Sequence, residues 1–268
     1  MTETLPEKLS WRTLLAGDIP PWVMRFIKLT GKAINSHQMI RDKDNVLLSV
    51  SGGKDSLALA LALSIRLKWL PITYGMQALM INWIEHPISE AAKEALYDYF
   101  NALGIPLTIL DEIQYPESFK GEFNCYLCSR NRRRILFDYA VVHDCNLIAM
   151  GHHLDDLVET TLLNLTARAT FSTMLPVQEF FKGKLHIIRP MIEVHEQTTR
   201  RLSEVYDLPT VKPVCPHDQT NIRSRLKPII RDLVHLDRDA REHIYNAHGF
   251  TYRIPRVVEA DGIMRSDP

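Results

Sequence analysis

The segment from Val46 to Ser56 restricts the fold more than any other part of this chain. The run Val-Leu-Leu-Ser-Val is followed at once by Ser-Gly-Gly-Lys-Asp-Ser, and a Leu- and Ala-rich helical pattern begins at Ser56. Two adjacent glycines let the backbone approach an anion closely, and unpaired N–H groups at the helix start then point at it. The spacing excludes a Walker A loop and a Rossmann G-x-G-x-x-G turn. The segment predicts a strand, a phosphate-binding turn and a helix; an ordinary glycine turn capped by Asp55 or Ser56 is the alternative.

Short apolar runs alternate with helical patterns along most of the chain. The predicted strands are Val46–Val50, Gln77–Ile81, Leu107–Leu110, Leu147–Met150 and Leu185–Ile188, and the helices between them are Ser56–Trp69, Ser89–Leu103, Cys128–His143 and Leu154–Thr166. Such alternation favours an α/β fold, a mostly parallel sheet with helices on both faces. In that architecture we expect ligands at the carboxyl ends of the strands.

The regions outside this alternation predict further helices. Residues 1–40 fit an N-terminal helical cap, because Val23, Phe26 and Ile27 follow helical spacing. Residues 41–195 form the α/β domain, and residues 196–250 form a C-terminal helical segment that completes the site, with helices at Glu196–Tyr206 and Asn221–Leu236. We expect residues 251–268 to form a flexible tail.

Charge and hydropathy argue against a general polyanion-binding protein and against a membrane-spanning protein. The 32 Lys and Arg balance the 32 Asp and Glu, so the chain has no general attraction for a polyanion, and any nucleic-acid binding depends on a local patch. The apolar stretches contain charges and fall short of the roughly 20 residues that a membrane span needs. The N-terminal sequence has acidic residues where a signal peptide has basic ones. We therefore expect a cytoplasmic location and no membrane association.

A second strand-to-helix junction carries two carboxylates. Leu147–Met150 is followed by Gly-His-His-Leu-Asp-Asp at residues 151–156. Alone, Asp155 and Asp156 would be typical of the acidic first turn of a helix, and the two histidines of structural imidazoles. Carboxylates at the carboxyl end of a strand can also hold Mg²⁺ between triphosphate oxygens. Because the first junction supplies a phosphate site, we expect a magnesium site here.

Three of the four cysteines form a pattern typical of a metal or cluster site. Cys125 and Cys128 are a C-x-x-C pair, and Cys215 lies downstream in Val-Cys-Pro-His. In a reducing compartment such a pair indicates metal binding or redox chemistry. Three thiolates leave one position open on an iron–sulfur cluster, whereas a structural zinc site would add His217, and packed thiols are the simplest alternative. We expect Cys145 to be buried as a small hydrophobic residue.

These motifs resemble those of the PP-loop, or N-type, ATP pyrophosphatases and, among them, of the tRNA 2-thiocytidine synthetases. The shared elements are S-G-G-x-D-S at 51–56, C-x-x-C with Ser-Arg-x-Arg-Arg at 125–133, G-H-H-x-D-D at 151–156 and Arg-Pro at 189–190, within a resemblance from about Phe26 to Leu233. The resemblance implies an enzyme that uses MgATP to adenylylate the C2 oxygen of cytidine 32 in the tRNA anticodon loop. Sulfur supplied through a [4Fe-4S] cluster then replaces that oxygen, and AMP and pyrophosphate are released.

The resemblance also implies roles for individual residues. The ATP-binding residues would be Ser51, Gly52, Gly53, Lys54, Asp55, Ser56, Gly151 and His152. The catalytic residues would be Asp55, Cys125, Cys128 and Cys215, and these three cysteines would also be the cluster ligands. Asp155 and Asp156 would bind Mg²⁺. Two basic groups lie next to the cysteines in sequence and could contact tRNA phosphates: Arg130, Arg132, Arg133 and Arg134, and Arg223 and Arg225. Either group alone is typical of a solvated helix face.

Two other functions stay open at this point. The chain has Trp83 in the turn after the second strand, where the family usually has an Asp, and Thr166–Thr173 where the family usually has small glycines. These departures favour a divergent sulfurtransferase that acts on another tRNA base or a small molecule, with zinc or a persulfide in place of the cluster. The non-enzymatic alternative is a regulatory module that binds an adenine nucleotide. As partners we expect tRNA and a sulfur donor such as a cysteine desulfurase or free sulfide, with a homodimer as one option.

Overall fold

The computed structural model describes residues 9–115, 125–211 and 222–249, without the side chains of Cys125 and residues 222–224, and confirms the α/β class. The elements are α1 (Trp11–Leu15), α2 (Pro21–Ser36), β1 (Asn45–Val50), α3 (Lys54–Leu67), β2 (Gly75–Trp83), α4 (Glu90–Leu103), β3 (Leu107–Glu112), α5 (Cys125–Val142), β4 (Leu147–Met150), α6 (Leu154–Arg168), β5 (Val177–Phe180), β6 (Leu185–Ile188), α7 (Glu196–Val205), α8 (Ile222–Leu236) and α9 (Ala240–Ala247).

The six strands form one sheet in the order β3-β2-β1-β4-β6-β5. Val46 of β1 pairs with Met76 of β2 on one side and Leu147 of β4 on the other, and both pairings are parallel. Among the strand pairs of the described sheet, β5 with β6 is antiparallel. From β1 the chain builds outward through β2 and β3, then returns to build outward from β4. The crevice between the carboxyl ends of β1 and β4 is therefore the topological switch point, where sheets of this kind bind ligands.

Two hydrophobic cores cover the two faces of the sheet. Leu47 and Ile148 point to the face covered by α5, where Cys145 is buried as predicted. Val46 and Leu48 point to the other face, which is covered by α2, α3, α4 and α7. Helix α3 is buried on all sides along most of its length, and truncating a leucine such as Leu59 there should cost about 2–5 kcal/mol. The cores thus hold the first turn of α3 rigidly at the switch point.

Sequence patterns missed three short elements. Helix α1 has five residues, β5 is a four-residue edge strand, and α9 follows the second predicted C-terminal helix. The proposed division of the chain at residues 40, 195 and 250 stays a prediction, and the tail at 251–268 lies outside the described residues. None of the described helices has the length and apolar composition that would let it span a membrane.

Helix α9 is attached through polar side chains and through Ile244 and Tyr245, which are partly buried against the core on the α2 and α3 face of the sheet. None of its residues is fully buried. Arg241 Nε donates to Asp155 Oδ1 at the start of α6 (2.5 Å), and Tyr245 Oη lies 3.0 Å from His37 Nε2 after α2. Glu242 Oε1 lies 2.8 Å from His195 Nε2 before α7. These contacts bring the C-terminal helices to the carboxyl edge of the sheet.

Candidate active site

A tight turn between β1 and α3 forms the centre of the site. Gly52 has φ +78°, and a Cβ there would lie 3.1 Å from the Val211 carbonyl oxygen, so the turn requires glycine. The Val211 N–H donates to the Gly52 carbonyl (2.8 Å). Ser56 Oγ donates to the Gly53 carbonyl (2.9 Å) and accepts from the Ser51 N–H (3.3 Å). No described side chain caps α3 at Gly53, and its first N–H groups are therefore available to an anion.

An ion cluster lies at the start of α3. Lys54 Nζ is 2.9 Å from Asp55 Oδ2 and 3.2 Å from Glu196 Oε1 of α7, and Thr199 Oγ1 donates to Asp55 Oδ1 (2.5 Å). Burial alone would lower the pKa of Lys54, but Asp55 and Glu196 outweigh it and raise that pKa above its usual value. Burial alone would raise the pKa of Glu196, but Lys54 and Lys227 outweigh it and lower that pKa to about 2. Lys54 and Glu196 are therefore both charged at neutral pH.

The junction between β4 and α6 packs directly against this turn. A Cβ at Gly151 would lie 2.9 Å from both Asp55 C and Ser56 N, so only glycine allows the two junctions to meet. His153 and Asp156 begin α6 with reciprocal hydrogen bonds: the Asp156 N–H donates to His153 Nδ1 (3.2 Å), and the His153 N–H donates to Asp156 Oδ2 (3.0 Å). Buried His153 is therefore a helix-capping imidazole.

Asp155 connects three helices. Its Oδ2 accepts from the Glu196 N–H at the start of α7 (2.7 Å), and its Oδ1 accepts from Arg241 of α9. Asp156 Oδ2 already accepts from the His153 N–H. Within the described ranges, no group of three His, Cys, Asp or Glu side chains has the arrangement of a metal site. The two carboxylates thus lie at the expected edge of the sheet, where they also stabilise helix ends.

His152 lies against a buried arginine. Arg189 Nε, at the end of β6, donates to His152 Nδ1 (3.3 Å), and its Nη1 donates to the Leu175 carbonyl (2.5 Å). Burial, and then repulsion from Arg133 of α5, lower the pKa of Arg189 to about 10. The group is therefore still a cation at neutral pH. Arg189 positions His152, and Arg133 lies close enough to repel this cation.

A pocket opens beside the glycine turn, between the ends of β1 and β2 and helix α5. Its lining includes Ser51, Met80, Asn82, Trp83, Arg132 and Leu136. Trp83 is 5% exposed, and neither its indole Nε1–H nor the Nε–H of Arg132 has a hydrogen-bond partner among the described residues. The Arg132 guanidinium lies 5.8 Å from the centre of the Trp83 ring. The pocket thus has an apolar wall and two buried donors.

Of the three predicted cluster ligands, Cys128 has a described side chain. Its Sγ is half-buried and accepts a hydrogen bond from Gln114 Nε2 (3.3 Å). Cys128 lies one helical turn before Arg132 of the pocket wall on α5, so these two residues share a helix face. Cys125 is the first residue of α5, and its side chain and Cys215 lie outside the described residues. Cys128 is therefore on the helix face that borders the pocket.

The predicted basic residues have different surroundings. Arg130, Arg133, Arg134 and Arg225 are exposed, Arg132 is half-buried over Trp83, and the Arg223 side chain lies outside the described residues. Arg134 pairs with Asp138 on the same helix (3.1 Å). The exposed arginines of α5 begin next to Cys128, so a polyanion bound to them would lie close to the cysteine pair.

Sequence reasoning missed the residues that reach the site from distant segments. Glu196 and Thr199 come from α7, and Arg241 comes from α9, yet all three contact residues of the two predicted junctions. The sequence signal for Glu196 was weak, since an acidic residue at a helix start is common. Arg241 and Thr199 belong to no recognised motif.

Comparisons with known proteins agree with these features. Residues 25–234 match the family model of the PP-loop domain. A tRNA-cytidine(32) 2-sulfurtransferase of Hahella chejuensis is 32% identical over 210 residues, which cover 75% of this chain and 72% of that protein. The enzyme of the same name from Syntrophotalea carbinolica is 33% identical over 209 residues, which cover 77% and 81%.

A solved structure shows the same fold. The U34-tRNA thiolase NcsA from Methanococcus maripaludis, determined with its [4Fe-4S] cluster, has a TM-score of 0.67 to this chain at 22% identity. The match covers 85% of this chain and 78% of that one. By the domain match and the identity to its curated relatives, the chain belongs to the PP-loop family and, within it, to the family of the tRNA-cytidine(32) 2-sulfurtransferases.

Proposed function

We propose that this chain is an ATP-dependent tRNA sulfurtransferase that converts cytidine 32 of the anticodon loop to 2-thiocytidine in the cytoplasm. The observation that carries the proposal is that three parts meet at one edge of the sheet. These are the uncapped start of α3, the pocket beside it, and the face of α5 on which Cys128 and Arg132 lie. Relatives more than 30% identical are named for this activity.

The reaction has two chemical steps. First, the C2 oxygen of cytidine attacks the α-phosphorus of ATP, the bond to the β-phosphate breaks, and pyrophosphate leaves. Second, hydrosulfide attacks C2, the bond between C2 and the oxygen breaks, and AMP leaves with that oxygen. One proton is released as the C2–sulfur double bond forms. The balance needs no oxidant or reductant, because sulfur keeps the oxidation state of sulfide when it becomes the thiocarbonyl of the product.

The phosphate loop, residues 51–56, would bind the pyrophosphate portion of ATP. The first N–H groups of α3 and the ammonium of Lys54 would bind its oxygens and stabilise the charge that develops as the bond breaks. Glu196 and Asp55 hold Lys54 in place and keep it protonated. The absence of side chains at Gly52 and Gly53 would let the phosphates approach the backbone.

The pocket beside the loop has a cavity volume of about 30 Å³, which holds water-sized groups and not a whole nucleoside. Its wall is largely apolar, and the buried indole N–H of Trp83 has no hydrogen-bond partner among the described residues. In the arrangement described, only the edge of a base would enter this pocket, and the ribose and phosphates would lie outside it.

Mg²⁺ would enter the site together with ATP. The ion keeps several waters and usually takes one or two carboxylates plus phosphate oxygens. Asp55 lies 3.9 Å from His153 Nε2 and Asp156 lies 3.3 Å from His153 Nδ1, so the two carboxylates approach different nitrogens of one ring, while Asp155 accepts from two protein donors. The described carboxylates do not form a complete metal site in this arrangement, and phosphate oxygens of ATP would supply the other ligands. We assign Asp155 and Asp156 to the metal on the predicted pattern, with Asp55 as the nearest carboxylate of the loop.

The proposal assigns the three cysteines to an iron–sulfur cluster. Cys128 accepts an N–H···S hydrogen bond, which is a common way to stabilise and tune cluster ligands. Cys125 and Cys215 would supply the other two thiolates. When bound, a [4Fe-4S] cluster held by three cysteines supplies an iron that can carry sulfide. Zinc bound with His217 is the alternative, and iron, zinc and sulfide analysis of anaerobically prepared protein distinguishes the two.

Nucleoside mass spectrometry tests the proposal. Bulk tRNA from cells with and without the gene is digested and compared, and we expect 2-thiocytidine to disappear from the deletion strain and to return on complementation. Purified anaerobic protein with unmodified tRNA, ATP and sulfide should form it and release AMP. Persistence of 2-thiocytidine in the deletion strain, with no product in the purified reaction, would contradict the proposal. Loss of a different thionucleoside would indicate another tRNA base.

A further inference from the structure

A second concave surface lies on the far side of the start of α7, between α2, α7 and α9. Its lining includes Trp22, Arg25 and Lys32 of α2, Arg201 of α7 and Arg241 of α9, and we call it the α2 groove. Arg241 also binds Asp155, and the lining residue His195 directly precedes Glu196 of the ion cluster. One end of the groove therefore borders the candidate active site.

All charged residues of the α2 wall of the groove are basic. The helix contains Arg25, Lys28 and Lys32 and neither Asp nor Glu. Their spacing of three and four residues places them on one helix face, where all three are exposed and line a second shallow depression that continues the groove. In a chain of zero net charge, a face of one sign is a local electrostatic feature that attracts a polyanion.

Each of the two carboxylates that line the groove has a partner within it. Glu193 forms an ion pair with Lys32 (2.8 Å), and Glu242 Oε1 is within hydrogen-bond distance of His195 Nε2 (2.8 Å). By contrast, Arg25, Lys28 and Arg201 form no ion pair with any residue that the structure describes. These three cations are therefore available to an external anion.

An aromatic residue orients one of the cations. The Arg201 guanidinium lies 4.4 Å from the centre of the Trp22 ring, and the Tyr206 ring lies 6.1 Å from the Trp22 ring. Stacking on an indole holds a guanidinium flat and leaves its N–H edge for hydrogen bonds. Such arginines are well suited to phosphate groups.

We propose that the α2 groove binds the ribose–phosphate backbone of tRNA outside the anticodon loop. This inference rests on the proposed function. A target base in the active site continues into an A-form stem, which proteins bind through phosphates and 2′-hydroxyls and not through base sequence. The groove borders the site, and its lining includes the stacked Arg201 and the amide side chains of Gln197 and Asn246. Such a stem could therefore contact the groove while its target base lies in the site.

Salt-dependent tRNA binding tests the proposal. The variant Arg25→Gln/Lys28→Gln/Arg201→Gln removes the three unpaired cations and keeps the Lys32–Glu193 pair. The matched control, Lys182→Gln/Lys184→Gln, changes exposed lysines in the turn between β5 and β6. This turn lies at the amino end of β6, away from the carboxyl ends of the parallel strands. Affinity for unmodified tRNA is measured by fluorescence anisotropy with anaerobic, cluster-loaded protein over a range of salt concentrations, and ATP affinity is measured in parallel.

We expect the groove variant to bind all tRNAs at least about tenfold more weakly, and the slope of log affinity against log salt to fall by about 2–3. The control variant should match the wild type, and ATP affinity should not change in either. An unchanged slope in the groove variant, with normal tRNA binding by the wild type, would refute the groove while leaving the proposed function intact. Failure of the wild type to bind tRNA would overturn both. If the groove variant loses binding to a sulfur-carrier protein and binds tRNA like the wild type, the partner of the groove is a protein and not tRNA.

Discussion

Replacing Gly151 with alanine should separate the two loops that form the candidate active site. An added Cβ would lie 2.9 Å from Asp55 C and Ser56 N and 3.0 Å from Asp55 O. Atoms in ordinary contact stay about 3.5 Å apart, so the two junctions would have to move apart by about half an ångström. All three neighbours are backbone atoms in the first turn of a buried helix, and no side-chain rotation can relieve the contact.

The expected cost is that of overpacking a rigid site, about 1–3 kcal/mol. For a domain of this size each kcal/mol lowers Tm by roughly 2–4 °C, so Tm should fall by about 2–12 °C. ATP affinity should fall as well, by about tenfold, since one lost or misplaced hydrogen bond to a charged phosphate is worth about 1.5 kcal/mol or more. Thermal unfolding and calorimetric titration with ATP measure the two effects.

Gly53→Ala is the matched control. Gly53 has φ −76°, and its nearest neighbour to an added Cβ is Ser51 Oγ at 3.4 Å. We expect a stability loss below about 1 kcal/mol from the helix cap, with weaker ATP binding because the methyl group would face the phosphates. If the Gly151 variant unfolds at the same temperature as this control and binds ATP normally, the two junctions are not rigidly packed and the reasoning is wrong.

Three further predictions concern the cysteines, the ion cluster and its hydroxyl donor. Cys128→Ala should abolish thiolation while ATP binding stays intact, whereas Cys145→Ala, at a buried position outside the site, should keep activity; nucleoside analysis of the reaction products compares them. Because the pKa of Glu196 is lowered to about 2 from its usual 4.5, the stability it contributes is present above about pH 4.5 and lost as pH falls towards 2. Glu196→Gln should flatten this part of the pH–stability curve in denaturant titrations, and equal curves would contradict the role of Lys54. Thr199→Val removes the hydroxyl donor to the loop carboxylate, and we expect a loss of about 1–3 kcal/mol in unfolding free energy; a variant as stable as the wild type would refute this bond.

Sequence patterns predicted the central strands well because these strands are buried and apolar. The predicted bounds of β4 and β6 are those observed, and β1 begins one residue earlier than expected. Strand β5 was harder to predict from the sequence. It is a four-residue edge strand with one fully buried residue, and its Glu179 is exposed. A strand that faces solvent on one side and follows Pro176 carries little periodic signal.

The site was predictable where its residues lie within one continuous motif. The loop at 51–56 and the junction at 151–156 do meet, as their places after β1 and β4 required. The contacts from α7 and α9 were not predictable, because they depend on how helices more than 40 residues away pack against the sheet. The structural use of Asp155, which joins Glu196 and Arg241, is of this kind.

The polar attachment of α9 has a consequence for motion. A helix without fully buried residues should open at a smaller free-energy cost than the sheet, and its ionic contacts weaken as salt rises. Because Arg241 donates to Asp155, each opening of α9 would free one carboxylate oxygen at the carboxyl edge of the sheet. If α9 controls when this oxygen is open to a cation, amide exchange in residues 240–247 should be fast and should become faster with MgATP, because an ion bound to the freed oxygen favours the open state.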